Sequence, residues 1–124
     1  MDAQLAVKAL RNAALNVKHT EWIIIYSDFG SQYTSNLFES AHEELKIRHS
    51  YSRKGCPYDN ACIESFHSVL KKEEGNFRKY KDANAAYNSI FEYIESWYNR
   101  KRIHSSLNYR TPEAVYSECE KRAA

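Results

Sequence analysis

The feature that most limits how this chain can fold is Trp22-Ile23-Ile24-Ile25-Tyr26, an unbroken apolar run followed at once by Ser27 and Asp28. A short run rich in β-branched residues, with no polar residue to mark a solvent face, predicts a strand buried on both sides. Asp28 then falls at that strand's carboxyl end, where open α/β sheets place their ligands. A second acid, Glu64, follows after an interval of 35 residues. Two carboxylates so placed, one ending a strand and one opening a helix, can bind a divalent metal for phosphoryl-transfer chemistry.

The surrounding pattern alternates helix and strand. Leu5, Ala9, Ala13 and Val17 recur at four-residue steps with Ala6, Leu10 and Ala14 beside them, predicting an amphipathic helix over 3–17 capped by Asp2. Residues 36–45 predict a second helix, with Leu37, Phe38, Ala41 and Leu45 inward and Thr34 or Ser35 as cap, and 46–50 a short strand pairing in parallel with the first. Residues 51–58 combine a Gly, a Pro and the cations Arg53 and Lys54, which marks a surface loop. A helix from about Asp59 to Glu73 then places Ile63, Phe66, Val69 and Leu70 inward and stops at Gly75. The longest periodic stretch, 82–99, aligns Tyr87, Ile90, Phe91, Ile94, Trp97 and Tyr98, so Trp97 reads as core. A basic linker over 100–110 leads to a last helix that carries Pro112 in its first turn.

At 124 residues the chain suits one domain with a modest core, an α/β part over 1–58 and a mainly helical part over 59–124. No apolar run approaches the roughly 18 residues of a membrane span and no secretory pattern is visible, so the expected location is the cytoplasm. Cys56, Cys62 and Cys119 lack zinc or redox spacing and are expected to be free, buried thiols. Residues 1–45 hold 3 Lys/Arg against 6 Asp/Glu, and residues 46–124 hold 15 against 10, so the basic half is the expected face for a polyanion. On a helix Glu64, His67 and Lys71 project together, offering a metal ligand, a proton carrier and a phosphate-binding cation beside the Arg53-Lys54 loop. His19, His42 and His49 read as ordinary surface or packing residues.

Three motifs carry a resemblance. Tyr26-Ser27-Asp28-Phe29-Gly30-Ser31-Gln32-Tyr33-Thr34-Ser35, then Asp59-Asn60-Ala61-Cys62-Ile63-Glu64-Ser65-Phe66, then Trp97-Tyr98-Asn99 with Arg102, His104, Leu107, Thr111 and Pro112 resemble the integrase-type catalytic core of OrfB-type insertion-sequence transposases. The resemblance implies a ribonuclease H-like fold that cuts DNA at element ends and joins the free 3′-hydroxyl to a target. It implies an Asp, Asp, Glu triad holding two Mg2+ (or Mn2+) ions, with Asp28 as the second Asp and Glu64 as the Glu. Lys71 is expected at a DNA end, and Asn60, Arg53, Lys54, His67, Arg102 and His104 complete the expected DNA-contacting set.

The sequence departs from that pattern in carrying Tyr26 where these enzymes usually show His, and Phe29 where a cation or polar residue is common. The family's first Asp precedes the second by several tens of residues on the first core strand, whereas 27 residues precede Asp28 here and their acids are Asp2 and Glu21. The expectation is therefore a core with its first strands missing and inactive alone, the alternative being a non-catalytic DNA-binding or regulatory module that assembles with a full-length transposase. Without neighbours the Trp22–Tyr26 strand would present an open edge, through which homo-oligomers are expected to form.

Overall fold

A computed structural model describes residues 2–75 and 79–123 and divides the chain into two compact units, Met1–Phe66 and His67–Ala124. The first unit is built around one parallel strand pair. Helix α1 (Ala3–Ala14) starts where the Asp2 carboxylate accepts from the Gln4 N–H, as its sequence predicts. It ends three residues sooner than expected. Of its two apolar rows the core takes Ala6 and Leu10, with Val7 and Ala14 at their flank, and Leu5 is left in solvent.

Strand β1 (Ile24–Ser27) runs parallel to β2 (Arg48–Tyr51), with Ile24 opposite Arg48 and Ser27 opposite Tyr51. Both lie slightly later in the chain than the apolar runs suggest, because Thr20–Trp22 winds as a 3-10 turn and Lys46 adopts a left-handed conformation (φ 58°) that closes the preceding helix. That helix, α2 (Asn36–Glu44), is capped by Ser35, whose hydroxyl accepts from the Phe38 N–H. Phe38 and Ala41 on α2 meet Ala6 and Leu10 on α1 over Ile47, which makes the core of this unit. Leu37 is exposed instead of inward.

The expectation of a strand covered on both faces fails. Ile25 is half-buried against the core, but Ile24 and Tyr26 point outward and Tyr26 is 67% exposed. Among the described residues the sheet has two strands and covers one face, so the other face of β1 meets solvent.

After a 3-10 turn at Pro57–Asn60, helix α3 runs from Ala61 to Leu70 and widens into a π turn at Lys71–Gly75. None of its residues is fully buried, and Ile63, expected inward, is exposed. In the second unit α4 (Ala83–Glu92) begins at Asp82, whose carboxylate accepts from the Ala85 N–H, and continues into a π turn at Tyr93–Tyr98. Asn99 N–H reaches back five residues to the Ile94 carbonyl. One extra residue per turn swings the following side chains around the axis. Tyr93 is the buried residue, while Tyr87 and Phe91, in α4 before the π turn, and Trp97, within it, are exposed although the apolar stripe predicts them inward. Helix α5 (Pro112–Ala123) starts at Pro112 with the Thr111 hydroxyl accepting from the Ala114 N–H. The three cysteines are free, but Cys62 and Cys119 are exposed and Cys56 is half-buried, which corrects the expectation of buried thiols.

Phe38 is 2% exposed at the centre of the first unit, so Phe38→Ala should destabilise it by about 3–5 kcal/mol through lost burial and the cavity left behind. Urea unfolding followed by circular dichroism measures this, with Leu37→Ala as an exposed neighbour expected to change stability by no more than about 0.5 kcal/mol. Equal effects at the two positions would contradict the packing described.

Candidate functional site

Parallel strands bring their carboxyl ends to the same end of a sheet, so the residues that follow β1 and β2 are neighbours. Asp28 follows β1 and Ser52 follows β2. The Ser52 N–H donates to the Ser27 carbonyl at 2.7 Å, carrying the ladder one step past the strands. Its buried hydroxyl shares a proton between that carbonyl, at 3.1 Å, and Asn60 Oδ1, at 2.7 Å. Asn60 is one helical turn ahead of Glu64. Ser52 thus ties the strand end that carries Asp28 to the turn from which the Glu64 helix starts.

A second set of hydrogen bonds supports Ser27 from behind. Its hydroxyl donates to the Asp28 carbonyl at 2.8 Å, so the 2.7 Å contact to His49 Nε2 is one in which the imidazole donates. His49 Nδ1 is then the bare nitrogen, and it is buried with no hydrogen-bond partner among the described residues. Burial, and secondarily the neighbouring His42, hold His49 below the usual histidine range, which keeps the ring neutral at pH 7.

Asp28 itself is exposed, and its Oδ1 accepts from the Gly30 N–H at 2.8 Å. A Cβ at position 30 would lie 2.9 Å from that same oxygen and 2.9 Å from the Gln32 side chain, so a larger residue there would push the Asp28 carboxylate out of its present position. Asp28, Phe29, Ser52, Lys54 and Asn60 line one open groove together with Arg53.

Arg53 is clamped to the chain that follows it. Its backbone N–H and Nε reach Asp59 Oδ2 at 2.8 and 3.1 Å, and Nη2 reaches Oδ1 at 3.3 Å. These contacts, the guanidinium first and the backbone N–H second, draw the Asp59 carboxyl down from 3.8 to about 2. The pair closes the loop over Gly55, which is in the left-handed region (φ 73°), and leaves the Arg53 side chain 78% exposed at the groove.

Glu64 is exposed on α3 in the first unit. The other two members of the expected stripe, His67 and Lys71, belong to the second unit, and both are exposed, Lys71 in the π turn. Arg102 and His104 are half-buried there. Arg102 Nε lies 3.1 Å from each oxygen of Glu73, which also accepts from the Tyr93 hydroxyl at 2.6 Å and from Trp97 Nε1 at 3.2 Å. Burial alone would raise the Glu73 pKa, but these donors outweigh it and hold the carboxylate ionised. Tyr93 is pushed up, by burial first and by Glu73 second. His104 packs edge-on against Tyr98 and is held below the ordinary histidine range by burial and then by Arg102.

Sequence reasoning missed Ser52, His49 and Glu73. Ser52 and His49 carry no spacing signal, because their partners Asn60 and Ser27 meet them only through the strand pairing. Glu73 in Lys71-Lys72-Glu73-Glu74 looks like a solvated helix charge.

A triad of carboxylates would be needed to close the metal site that the motifs suggest. Asp28 and Glu64 supply two, Asp2 caps α1 and Glu21 contacts His19 at 3.2 Å. Among the described residues no three His, Cys, Asp or Glu side chains gather closely enough to hold a metal ion, so the residues present do not fit a complete site.

Comparison with known proteins bears on the same residues. The family model described as Integrase core domain matches residues 45–112. The transposase for insertion sequence element IS904 of Lactococcus lactis is 45% identical over 73% of this chain and 36% of its own length. Transposase InsF for insertion sequence IS3A of Escherichia coli is 39% identical over 91% of this chain and 39% of its own, and the uncharacterized 31 kDa protein of insertion element IS600 of Shigella sonnei is 37% identical over all of this chain and 46% of its own. The chain therefore spans less than half the length of these curated relatives. Among solved structures, a chain in the cryo-EM structure of the simian T-cell lymphotropic virus intasome with PP2A regulatory subunit B56 gamma matches with a TM-score of 0.61 at 21% identity, covering 84% of this chain and 36% of that one. At that identity the likeness is one of fold.

The Arg53–Asp59 clamp has a pH signature. Asp59 is depressed in the folded state, so the stability it contributes is complete above its unfolded pKa of 3.8 and is lost as pH falls toward 2. Carboxyl titration by NMR should give a midpoint near 2 for Asp59, rising in Arg53→Gln but staying below the ordinary range because the backbone N–H of residue 53 still donates to it. An unchanged midpoint in that variant would show that Arg53 is not the cause.

Proposed function

This chain belongs to the integrase core domain family, and on that premise we propose that it forms part of the DNA-processing core of an insertion-sequence transposase, with Asp28 and Glu64 as two of its catalytic, metal-holding carboxylates. The observation that supports this most directly is the Ser27–Ser52–Asn60 hydrogen bonding, which links the Asp28 strand end to the start of the Glu64 helix beside the cations Arg53 and Lys54. A groove lined by the carboxylate of Asp28 and by the cations Arg53 and Lys54 suits a phosphodiester: the cations hold flanking phosphates and the carboxylate helps hold a metal ion at the reacting one. Mg2+ or Mn2+ would supply Lewis-acid activation of the attacking and leaving oxygens.

In this reading Lys54 and Arg53 contact the backbone near Asp28, with Asn60 at the groove's inner wall, and His67, Lys71, Arg102 and His104 are the DNA-contacting set of the second unit. Arg102 is committed to Glu73 through its Nε, so its part is to hold the Trp97-Tyr98 turn as much as to meet DNA. Cutting and joining need a third acid that the described residues do not bring to the pair. The chain alone therefore binds DNA without transferring strands. A cytoplasmic setting goes with this reading, and no helix among the described residues is long and apolar enough to cross a membrane.

The second reading, a non-catalytic module that assembles with a full-length transposase, is favoured by the two-carboxylate set and by the open edge of β1. β2 is its one partner among the described residues, and Ile24 and Tyr26 leave an apolar face uncovered beside that edge. Both readings imply association through that edge.

Two measurements separate these claims. In fluorescence anisotropy, DNA binding should weaken with salt, and Lys54→Ala should lower the slope of log affinity against log salt by about 1. The same protein with matched element ends and Mg2+ or Mn2+ should yield no strand-transfer product; robust product, abolished by Glu64→Gln, would overturn the claim that the chain is inactive alone, and affinity indifferent to salt would overturn the DNA reading. Sedimentation at micromolar concentration should show a dimer or higher species that Tyr26→Lys shifts toward monomer. A monodisperse wild-type monomer would remove the strand-edge association.

A further inference from the structure

Phe29 follows the groove acid directly, lines the same groove, and is 60% exposed. Its ring is not loose. It stacks on Tyr51 with centroids 4.8 Å apart and the planes within 7° of parallel. Tyr51 is fixed in turn by its hydroxyl, which donates to the Tyr33 carbonyl at 3.2 Å, and by His49 against its other side at 4.1 Å. The backbone under Phe29 is held as well, because the Asp28 Oδ1 to Gly30 N–H bond spans it. One face of the phenyl ring is covered by Tyr51, so its exposure belongs to the opposite face and the edges.

A flat apolar face held rigidly in water, with a carboxylate on one side and Arg53 and Lys54 across the same groove, has few matching ligands. An aliphatic group would gain little from a surface so ringed with charge. A nucleotide presents a flat π-face for the ring and a phosphate for the cations at once. A base inside a duplex has both faces covered by its neighbours and cannot use such a ring, whereas an unpaired base can. We propose that Phe29, backed by Tyr51, is a stacking platform for an unpaired nucleobase of the DNA held at the Asp28 groove, and that it gives this chain a preference for frayed or single-stranded ends over blunt duplex.

The inference rests on the DNA-binding reading above and adds a subsite to it. Stacking of this kind tolerates sequence, since every base has a π-face, so the preference is for an unpaired nucleotide of any identity.

The test uses the whole chain and two short duplexes, one blunt and one with an unpaired terminal overhang carrying 2-aminopurine. Wild-type protein should bind the overhang DNA roughly tenfold more tightly than the blunt DNA and quench the 2-aminopurine on binding. Phe29→Leu, which keeps an apolar cover over Tyr51 without a π-face, should collapse that ratio to near one and abolish the quench. Phe29→Trp should retain both. Blunt and overhang DNA bound alike by the wild type, or an unchanged ratio in Phe29→Leu, would overturn the platform while leaving DNA binding intact. A wild-type chain that binds neither DNA would overturn the platform and the DNA reading together.

Discussion

The candidate site depends on one buried hydroxyl. Ser52 sits where two parallel strands end, and through its N–H and Oγ it holds the Ser27 carbonyl on one side and the Asn60 side chain on the other. It links the end of β1 to the turn before α3, and the Arg53–Asp59 pair closes the loop that leads from β2 to that turn. A hydrogen bond between buried groups contributes only about 1 kcal/mol net, but leaving its partners unpaired costs more, and here the partners are the carbonyl next to Asp28 and the amide one turn from Glu64. Its importance is geometric: it fixes which residues face each other.

The second unit is organised by a different device, an ionised carboxylate surrounded by donors. Glu73 gathers Tyr93, Trp97 and Arg102, and the adjacent Glu74, 4% exposed, takes Ser89 and Tyr80. Glu73 lies at the surface and Glu74 is buried, and a buried carboxyl is tolerated when its oxygens find donors, as Glu74 does in Ser89 and Tyr80. Tyr93 and Trp97, both in the π turn at Tyr93–Tyr98, meet the same acid. Arg102 and Trp97, which the motif marks out together, meet on Glu73.

Much of this was legible in advance, and the failures have physical causes. The Asp2 cap, a cap at Thr34 or Ser35, the parallel pairing and the placement of Asp28 after a strand follow from local chemistry, which depends on a few neighbouring residues. The exposure of Tyr26 and Ile24 was not, because an apolar run says that a strand can be covered on both sides and not that partners are there to cover it. Tyr87 and Phe91 are exposed for a related reason: a helical period says that a face can be covered, not that a partner covers it, and nothing in the period of Tyr87, Ile90, Phe91 and Ile94 announces the π turn that follows. Ser52 and His49 were invisible because their roles depend on contacts that only the strand pairing creates.

The same pairing explains the interval that joins the two motifs. Parallel strands cannot be linked by a tight turn; the chain must cross back over the sheet, which takes a dozen or more residues and usually a helix. From Asp28 that crossing is made by α2, and β2 then returns to the end of the sheet where Asp28 lies. The loop over Gly55 and one 3-10 turn complete the distance to α3. The 35 residues between Asp28 and Glu64 are thus one helical crossover, one strand and one clamped loop, and Ser52, at the close of that strand, is the point where the detour is checked against its start. An insertion anywhere along it would have to leave that hydrogen bond in register to keep the two acids in their present relation.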